Sequence, residues 1–351
     1  MSDIPDWDSL DADWVADRIG APRGLRLRTS RIGAGQVAEC RRLELLEDNE
    51  VVASVIAKGP SSDPTSAATA AAQRLYLRET SFYGELASQI ATPTPTCYYS
   101  AIDDNNSFLL LLDDMAPSAP LDQFNGLTNE HVERGLRALA GLHAPTTNQV
   151  DLFARDWLGG TKTALAPLYQ AILPGLFETF LERYGDVDTS ITTLVREFAA
   201  RLHHFSQQSP DTHSVVHGDF RTDNLLFDGR NGEVPIAVVD WQTVSVSSPF
   251  LDVSYFLVTS VDPDILCQRR DDFLRVYLDE RDTLGSPLNE AAARSELARY
   301  ALQPVAMLVP AAVIVERTER GDRMFLEMLR RAAAICHEWN SLQELDRHVA
   351  A

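Results

Sequence analysis

One stretch, residues 214 to 242, constrains this chain more than any other. The short apolar lead Ser214-Val215-Val216 enters His217-Gly218-Asp219-Phe220-Arg221-Thr222-Asp223-Asn224. Leu225-Leu226-Phe227 leaves it, the run Asp228-Gly229-Arg230-Asn231-Gly232 follows, and an apolar segment from Pro235 to Val239 ends at Asp240. Apolar, β-branched runs on either side of a Gly/Asn/Asp cluster predict strand, turn, strand. Such a hairpin-like ribbon would set Asn224 and Asp240 side by side. Read for chemistry, the stretch is H-x-D-x-x-x-x-N followed by an Asp closing an apolar strand. Phosphoryl transfer from a nucleotide needs one carboxylate to meet the acceptor hydroxyl. It also needs an amide oxygen and a second carboxylate to hold Mg²⁺ against the phosphates. Asp219, Asn224 and Asp240 are those chemical types in that order. Asp223 and Asp228 read as ordinary turn formers, and His217 as a scaffold residue that hydrogen-bonds locally.

The string HGDFRTDN…VVDWQ, with Leu251-Asp252-Val253-Ser254-Tyr255-Phe256-Leu257 after it, resembles the aminoglycoside phosphotransferase/choline kinase superfamily. Within it, the likeness is greatest to the ecdysteroid kinase-like branch and its bacterial relatives. The resemblance runs from about Gly33 to the final helices. It implies an α+β, protein-kinase-like fold of two lobes: a small β-rich N-lobe (1–112) that cradles ATP, and a larger, mostly helical C-lobe (113–351) for catalysis and substrate binding. The activity implied is ATP- and Mg²⁺-dependent phosphorylation of a hydroxyl on a small molecule. Trp241-Gln242 after Asp240 fits this group, which carries Asp-Trp-Gln or similar where protein kinases carry Asp-Phe-Gly. Ser247-Ser248-Pro249 departs from it, since many relatives have glycine there.

The upstream half supplies the remaining parts. Arg31-Ile32-Gly33-Ala34-Gly35-Gln36 is a glycine-rich turn between two strand-like segments, and Gly33 and Gly35 allow backbone N–H groups to approach phosphates closely. The alternation from Val51 to Lys58 predicts a strand ending in a lysine. Only Lys58 and Lys162 are lysines among the 31 basic residues. Lysine at this one place suits a compact ammonium for the α- and β-phosphates. The stretch Ala70 to Gln89 is rich in helix formers, after a Ser/Thr/Ala-rich loop from Gly59 to Thr69. It places Glu79 on the side that would face Lys58, with Glu85 as the competitor; Arg-Glu-x-x-Phe-Tyr matches the family pattern and favours Glu79. Phe108 to Leu112 then runs into Asp113-Asp114-Met115, as expected of a hinge. Its backbone from Asp113 to Met115 would meet an adenine edge.

Further helices are expected over Asn129–His143, Thr163–Tyr184, Ile191–Gln207, Pro263–Leu284, Asn289–Glu319 with breaks at its prolines, and Met324–Asp346. His143 reads as a core or helix-end histidine, and Asp252 as a brace for the catalytic loop. The formal charge of −20 argues against nucleic acid as a partner, which calls for a basic surface. Cys40, Cys97, Cys267 and Cys336 lack metal-type spacing and read as reduced thiols of a cytoplasmic protein. The acidic amino terminus has no signal-peptide core. Ala301 to Val315, the most apolar stretch, is too short to span a bilayer and is interrupted by prolines, so no membrane insertion is expected. The partner expected is a small hydroxylated substrate: an antibiotic, a choline-type amino alcohol, or a sterol-like or other metabolite. A catalytically silent nucleotide-binding regulator on the same fold is the alternative, although the lysine and both aspartates it would be expected to lack are present. A protein kinase proper is disfavoured, because no Ala-Pro-Glu element follows Asp240.

Overall fold

A computed structural model describes residues 4–33, 37–315 and 317–350. It separates into two compact units, Met1–Ala119 with Leu226–Val244, and Pro120–Leu225 with Ser245–Ala351.

The first unit is built on five antiparallel strands in the order β1-β2-β3-β5-β4: β1 (Arg26–Ile32), β2 (Ala38–Glu47), β3 (Glu50–Pro60), β4 (Cys97–Ile102) and β5 (Phe108–Asp113). Helix α1 (Ala12–Ile19) begins where the Asp11 carboxylate accepts from the Trp14 N–H at 2.9 Å, and ends at Gly20 with φ +71°. Both are standard helix-ending devices. Its Val15 and Ala16 pack with Leu43, Leu45, Val55, Ala57, Leu109 and Leu111, one side-chain face of β2, β3 and β5. Strand β5 is apolar throughout because both faces are covered. Phe108, pointing the other way from Leu109, stacks on Tyr76 with ring centroids 4.3 Å apart.

The helix expected over Ala70–Gln89 is not continuous. Asp63 accepts from the Ser66 N–H at 2.7 Å and Pro64 takes the first turn, so α2 (Pro64–Ala72) starts inside the expected loop. Arg74 then adopts φ +56°, and α3 (Leu75–Ser81) begins anew, running on through a π turn at Phe82–Leu86 and a 3₁₀ turn at Ala87–Gln89. Helix-forming sequence lies on both sides of Arg74, alanine-rich before it and Leu-, Arg- and Glu-bearing after it, so only tertiary packing fixes the break.

The strand β6 (Ser214–Val216) leads into the H-G-D loop, and the ribbon expected after Asn224 is present as β7 (Leu225–Gly229) paired to β8 (Val234–Val238). Its turn uses positive φ at Asp228, Arg230, Asn231 and Gly232. Residues 226–244 belong with the N-terminal segment rather than with the chain around them. The Val238 N–H donates to the Pro93 carbonyl at 2.9 Å, the Arg230 N–H to Met115 at 3.3 Å, and the Ser118 hydroxyl to Phe227 at 2.6 Å. A boundary drawn once along the sequence, at 112, has no means of expressing such a return.

The second unit is mainly helical. Before the stretch from Ser214 come α4 (Asn129–His143), α5 (Val150–Phe153), α6 (Asp156–Tyr184), α7 (Thr189–Ala199) and α8 (Leu202–Ser206). After it, β9 (Ser245–Ser247) pairs with β6, and α9 (Phe250–Ser260), α10 (Pro263–Thr283), α11 (Glu290–Tyr300), α12 (Gln303–Ile314), α13 (Glu319–Glu338) and α14 (Ser341–Ala350) follow. Helix α9 is buried along its whole length and forms the core. Gly135 of α4 lies so close to it that a Cβ would sit 2.5 Å from the Phe256 ring. Two expected helices are divided, 191–207 at Ala200–Arg201 and 324–346 at Asn340, which takes φ +53°. The run Glu290–Ile314 is long and apolar enough to cross a membrane by length and composition alone. Its apolar window is 67% buried within the protein, and a break between α11 and α12 interrupts it.

Candidate active site

In the first unit, β3 carries Lys58 opposite Leu110 of β5, and α3 carries Glu79. Lys58 is 7% exposed and Glu79 1%. The Lys58 Nζ lies 2.7 Å from Glu79 Oε2, 2.8 Å from Oε1 and 2.8 Å from Asp240 Oδ1. Burial pulls the lysine toward neutrality, but Asp240 and Glu79 together outweigh it and hold the proton affinity well above the ordinary lysine value. Lys58 is therefore an ammonium. Glu85, the rival acid, is exposed.

Asp240, two residues past β8, takes a left-handed conformation, φ +68° and ψ 62°, which a non-glycine residue adopts only when its surroundings hold it there. Those surroundings are identifiable. The Glu79 carboxylate takes the Trp241 backbone N–H. The Trp241 indole donates to the Val238 carbonyl at 3.1 Å and stacks on Phe82 with centroids 3.8 Å apart and planes 8° apart. Gln242 donates its amide to Asp240 Oδ2 at 3.2 Å. Gly33 has φ +69° with open space where a Cβ would stand; Gly35 lies outside the described residues. At the expected hinge, the Asp113 N–H donates to Thr96 at 2.8 Å, and its carboxylate pairs with Arg230 at 3.1 Å. The buried Met115 accepts from both Ser118 and Arg230 through its carbonyl. Asp114 is taken by Arg42, at 2.7 Å and 3.1 Å.

In the second unit, the loop from His217 to Asn224 hangs from Asp252. That fully buried carboxylate accepts the His217 N–H at 2.6 Å and the Gly218 N–H at 2.9 Å. His143, also fully buried, lies 3.3 Å from Asp252 through Nε2 and 2.9 Å from the Tyr277 hydroxyl through Nδ1. Arg281 donates to the same hydroxyl at 3.1 Å. Burial depresses the His143 proton affinity despite Asp252 beside it, so the ring is neutral. His143, Asp252 and His217 therefore act as braces, and His217 Nδ1 accepts the Asp219 N–H at 3.2 Å.

Asp219 and Asn224 are brought together: Asn224 Nδ2 donates to the Asp219 carbonyl at 2.8 Å and to its Oδ2 at 3.0 Å. With its amide nitrogen committed, Asn224 has its Oδ1 as the atom of metal-binding character. Sequence reasoning passed over three neighbours. Arg221 lies 3.3 Å from Asp219 Oδ1 and pairs with Asp223, so Asp223 is more than a turn former. Tyr255 of α9 hydrogen-bonds to Asp219, and burial followed by that carboxylate drives its phenol well above the ordinary range. Gln242 is the third. The offset of Arg221 from Asp219 was visible in the sequence; Tyr255 and Gln242 carried no comparable signal.

Each unit carries oxygen donors of a kind suited to a hard divalent cation. Asn224 and Asp240 offer oxygen ligands of the kind Mg²⁺ takes. Around Lys58, two carboxylates face one ammonium, which leaves a negative charge for a cation to offset.

A five-stranded antiparallel sheet with a lysine–glutamate pair in one unit, and an H-G-D loop among helices in the other, define a protein-kinase-like fold. Solved structures share it. An aminoglycoside 2′-phosphotransferase-IIIa in complex with GDP aligns over 91% of this chain and 96% of its own, at 14% identity and a TM-score of 0.54. A microcompartment-associated aminopropanol kinase aligns over 93% and 95%, at 15% identity and a TM-score of 0.53. Residues 41–284 match the model of the ecdysteroid kinase-like family, and the chain belongs to that family. Over 135 residues, 38% of the chain, it is 30% identical to acyl-CoA dehydrogenase family member 10 of Mus musculus, and it spans 12% of that protein's length.

Proposed function

We propose that the protein is an ATP- and Mg²⁺-dependent phosphotransferase whose acceptor is a hydroxyl group of a small molecule. The observation that carries this reading is the buried Lys58–Glu79–Asp240 cluster, an ammonium held between two carboxylates. Membership of the ecdysteroid kinase-like family and a fold shared with an aminoglycoside phosphotransferase and an aminopropanol kinase support it.

Lys58, oriented by Glu79, binds the α- and β-phosphates. The turn at Gly33 and Gly35 covers the phosphates with backbone N–H groups, and the Asp113–Met115 backbone takes the adenine edge. Asn224 Oδ1 and the Asp240 carboxylate would hold Mg²⁺, which when bound neutralises charge on the transferring group. Asp219 accepts the proton of the acceptor hydroxyl, and its carboxylate is fixed by Asn224, Arg221 and Tyr255. Most of the rate enhancement in such a reaction comes from positioning and electrostatics. The partner is a small hydroxylated molecule; a chain of charge −20 is a poor ligand for nucleic acid.

The test is Mg²⁺-dependent ADP release by purified protein against a panel of aminoglycosides, amino alcohols, sterols, hydroxy acids and sugars. Asp219→Asn should lower turnover by ~10²–10⁴ while nucleotide affinity stays near wild type. Near-normal turnover in that variant would remove Asp219 from the mechanism.

A further inference from the structure

Arg78 differs from the other cations of the first unit. It stands in α3 one residue before Glu79, and only 5% of it is exposed. Its Nε is sealed from solvent without a hydrogen-bond partner, and no carboxylate pairs with the side chain among the described residues. Glu79, the carboxylate next to it in sequence, is engaged with Lys58. Burial, and then the like charge of Arg74, disfavour its protonated form. A buried cation without a counterion is costly, and a guanidinium offers five donors in a rigid fork matched to phosphate or carboxylate. Lys58, by contrast, already has two carboxylates facing it.

We propose that Arg78 anchors an oxyanion-binding site of its own, for a phosphate or carboxylate group that none of the described residues supplies. The group is either a substituent of a hydroxylated ligand or a free phosphate. The site does not depend on the phosphotransferase reading, because it is tested without nucleotide or turnover.

The experiment is thermal unfolding of the full-length, nucleotide-free protein at constant ionic strength, titrated with inorganic phosphate and separately with glycerol 3-phosphate. In phosphate-free buffer, Arg78→Gln should unfold at or above the wild-type temperature, since it removes an uncompensated buried charge. Added phosphate should raise the wild-type midpoint saturably, by about 2–4 °C. Arg78→Gln should lose this shift, Arg78→Lys keep part of it, and Lys58→Met retain it. A larger shift with glycerol 3-phosphate than with phosphate at the same concentration marks the anion as carried by an alcohol; equal shifts mark free phosphate. A destabilised or unfolded Arg78→Gln in phosphate-free buffer would show that Arg78 already has a structural partner. That result, no shift in the wild type, or a shift that survives in Arg78→Gln overturns the proposal.

Discussion

At the scale of single residues, Lys58 has two roles that one substitution separates. Its ammonium is the counterion for Glu79 and Asp240 as well as the expected phosphate ligand. Replacing it with methionine leaves carboxylates facing each other in a buried setting. We expect Lys58→Met to lose ~3–5 kcal/mol of stability in addition to its nucleotide affinity. Adding Glu79→Gln should recover part of the stability and none of the binding. Urea denaturation beside nucleotide titration measures both, and a Lys58→Met protein as stable as wild type would contradict the ion-pair geometry. Lys58, Asp219, Asn224 and Asp240 could be singled out as candidates in the sequence because residue type and order alone suggest their chemistry. Arg78, Gln242 and Tyr255 were not, because what matters about each is what it touches or fails to touch.

Among the elements, the loop from His217 to Asn224 is held by helices distant in sequence: α9 through Asp252, α4 through His143, and α10 through Tyr277 and Arg281. The neutral, buried His143 makes this brace sensitive to acid. Its folded-state proton affinity is depressed, so below the ordinary histidine value near 6.5 the unfolded chain takes a proton that the folded chain refuses. Stability therefore rises with pH through this window and falls as pH drops below it, by up to ~1.4 kcal/mol per pH unit from this one group. Denaturation at pH 7.5, 6.5 and 5.5 should show a slope between the last two that is shallower by about one proton in His143→Gln. Parallel slopes would mean that His143 takes up its proton alike in the folded and the unfolded protein. Element types were readable from apolar spacing and caps, whereas the breaks at Arg74, Ala200–Arg201 and Asn340 were not. At each, helix-forming sequence continues across a point where packing demands a change of direction.

For the whole molecule, the clearest departure from a linear reading is residues 226–244, which complete the first unit from beyond more than 100 residues of the second. Sequence alone could not show it, since the ribbon β7–β8 is defined by its own turn and its attachments to Pro93, Met115 and Ser118 are made through backbone and hydroxyl groups of no special type. We expect residues 1–119 expressed alone to melt without a cooperative transition, and the same segment joined by a short linker to 226–244 to regain one by circular dichroism. A sharp transition in the shorter piece would show the ribbon to be dispensable.

The same interleaving has a consequence for biosynthesis. A ribosome releases residue 119 well before it releases residue 244, and at ordinary elongation rates the interval is roughly 6–25 s. For that time the nascent amino-terminal unit waits for its β7–β8 ribbon. The cell must therefore shelter an incomplete unit during every round of synthesis, so defects in β7 or β8 should lower yield before they lower the activity of molecules that mature.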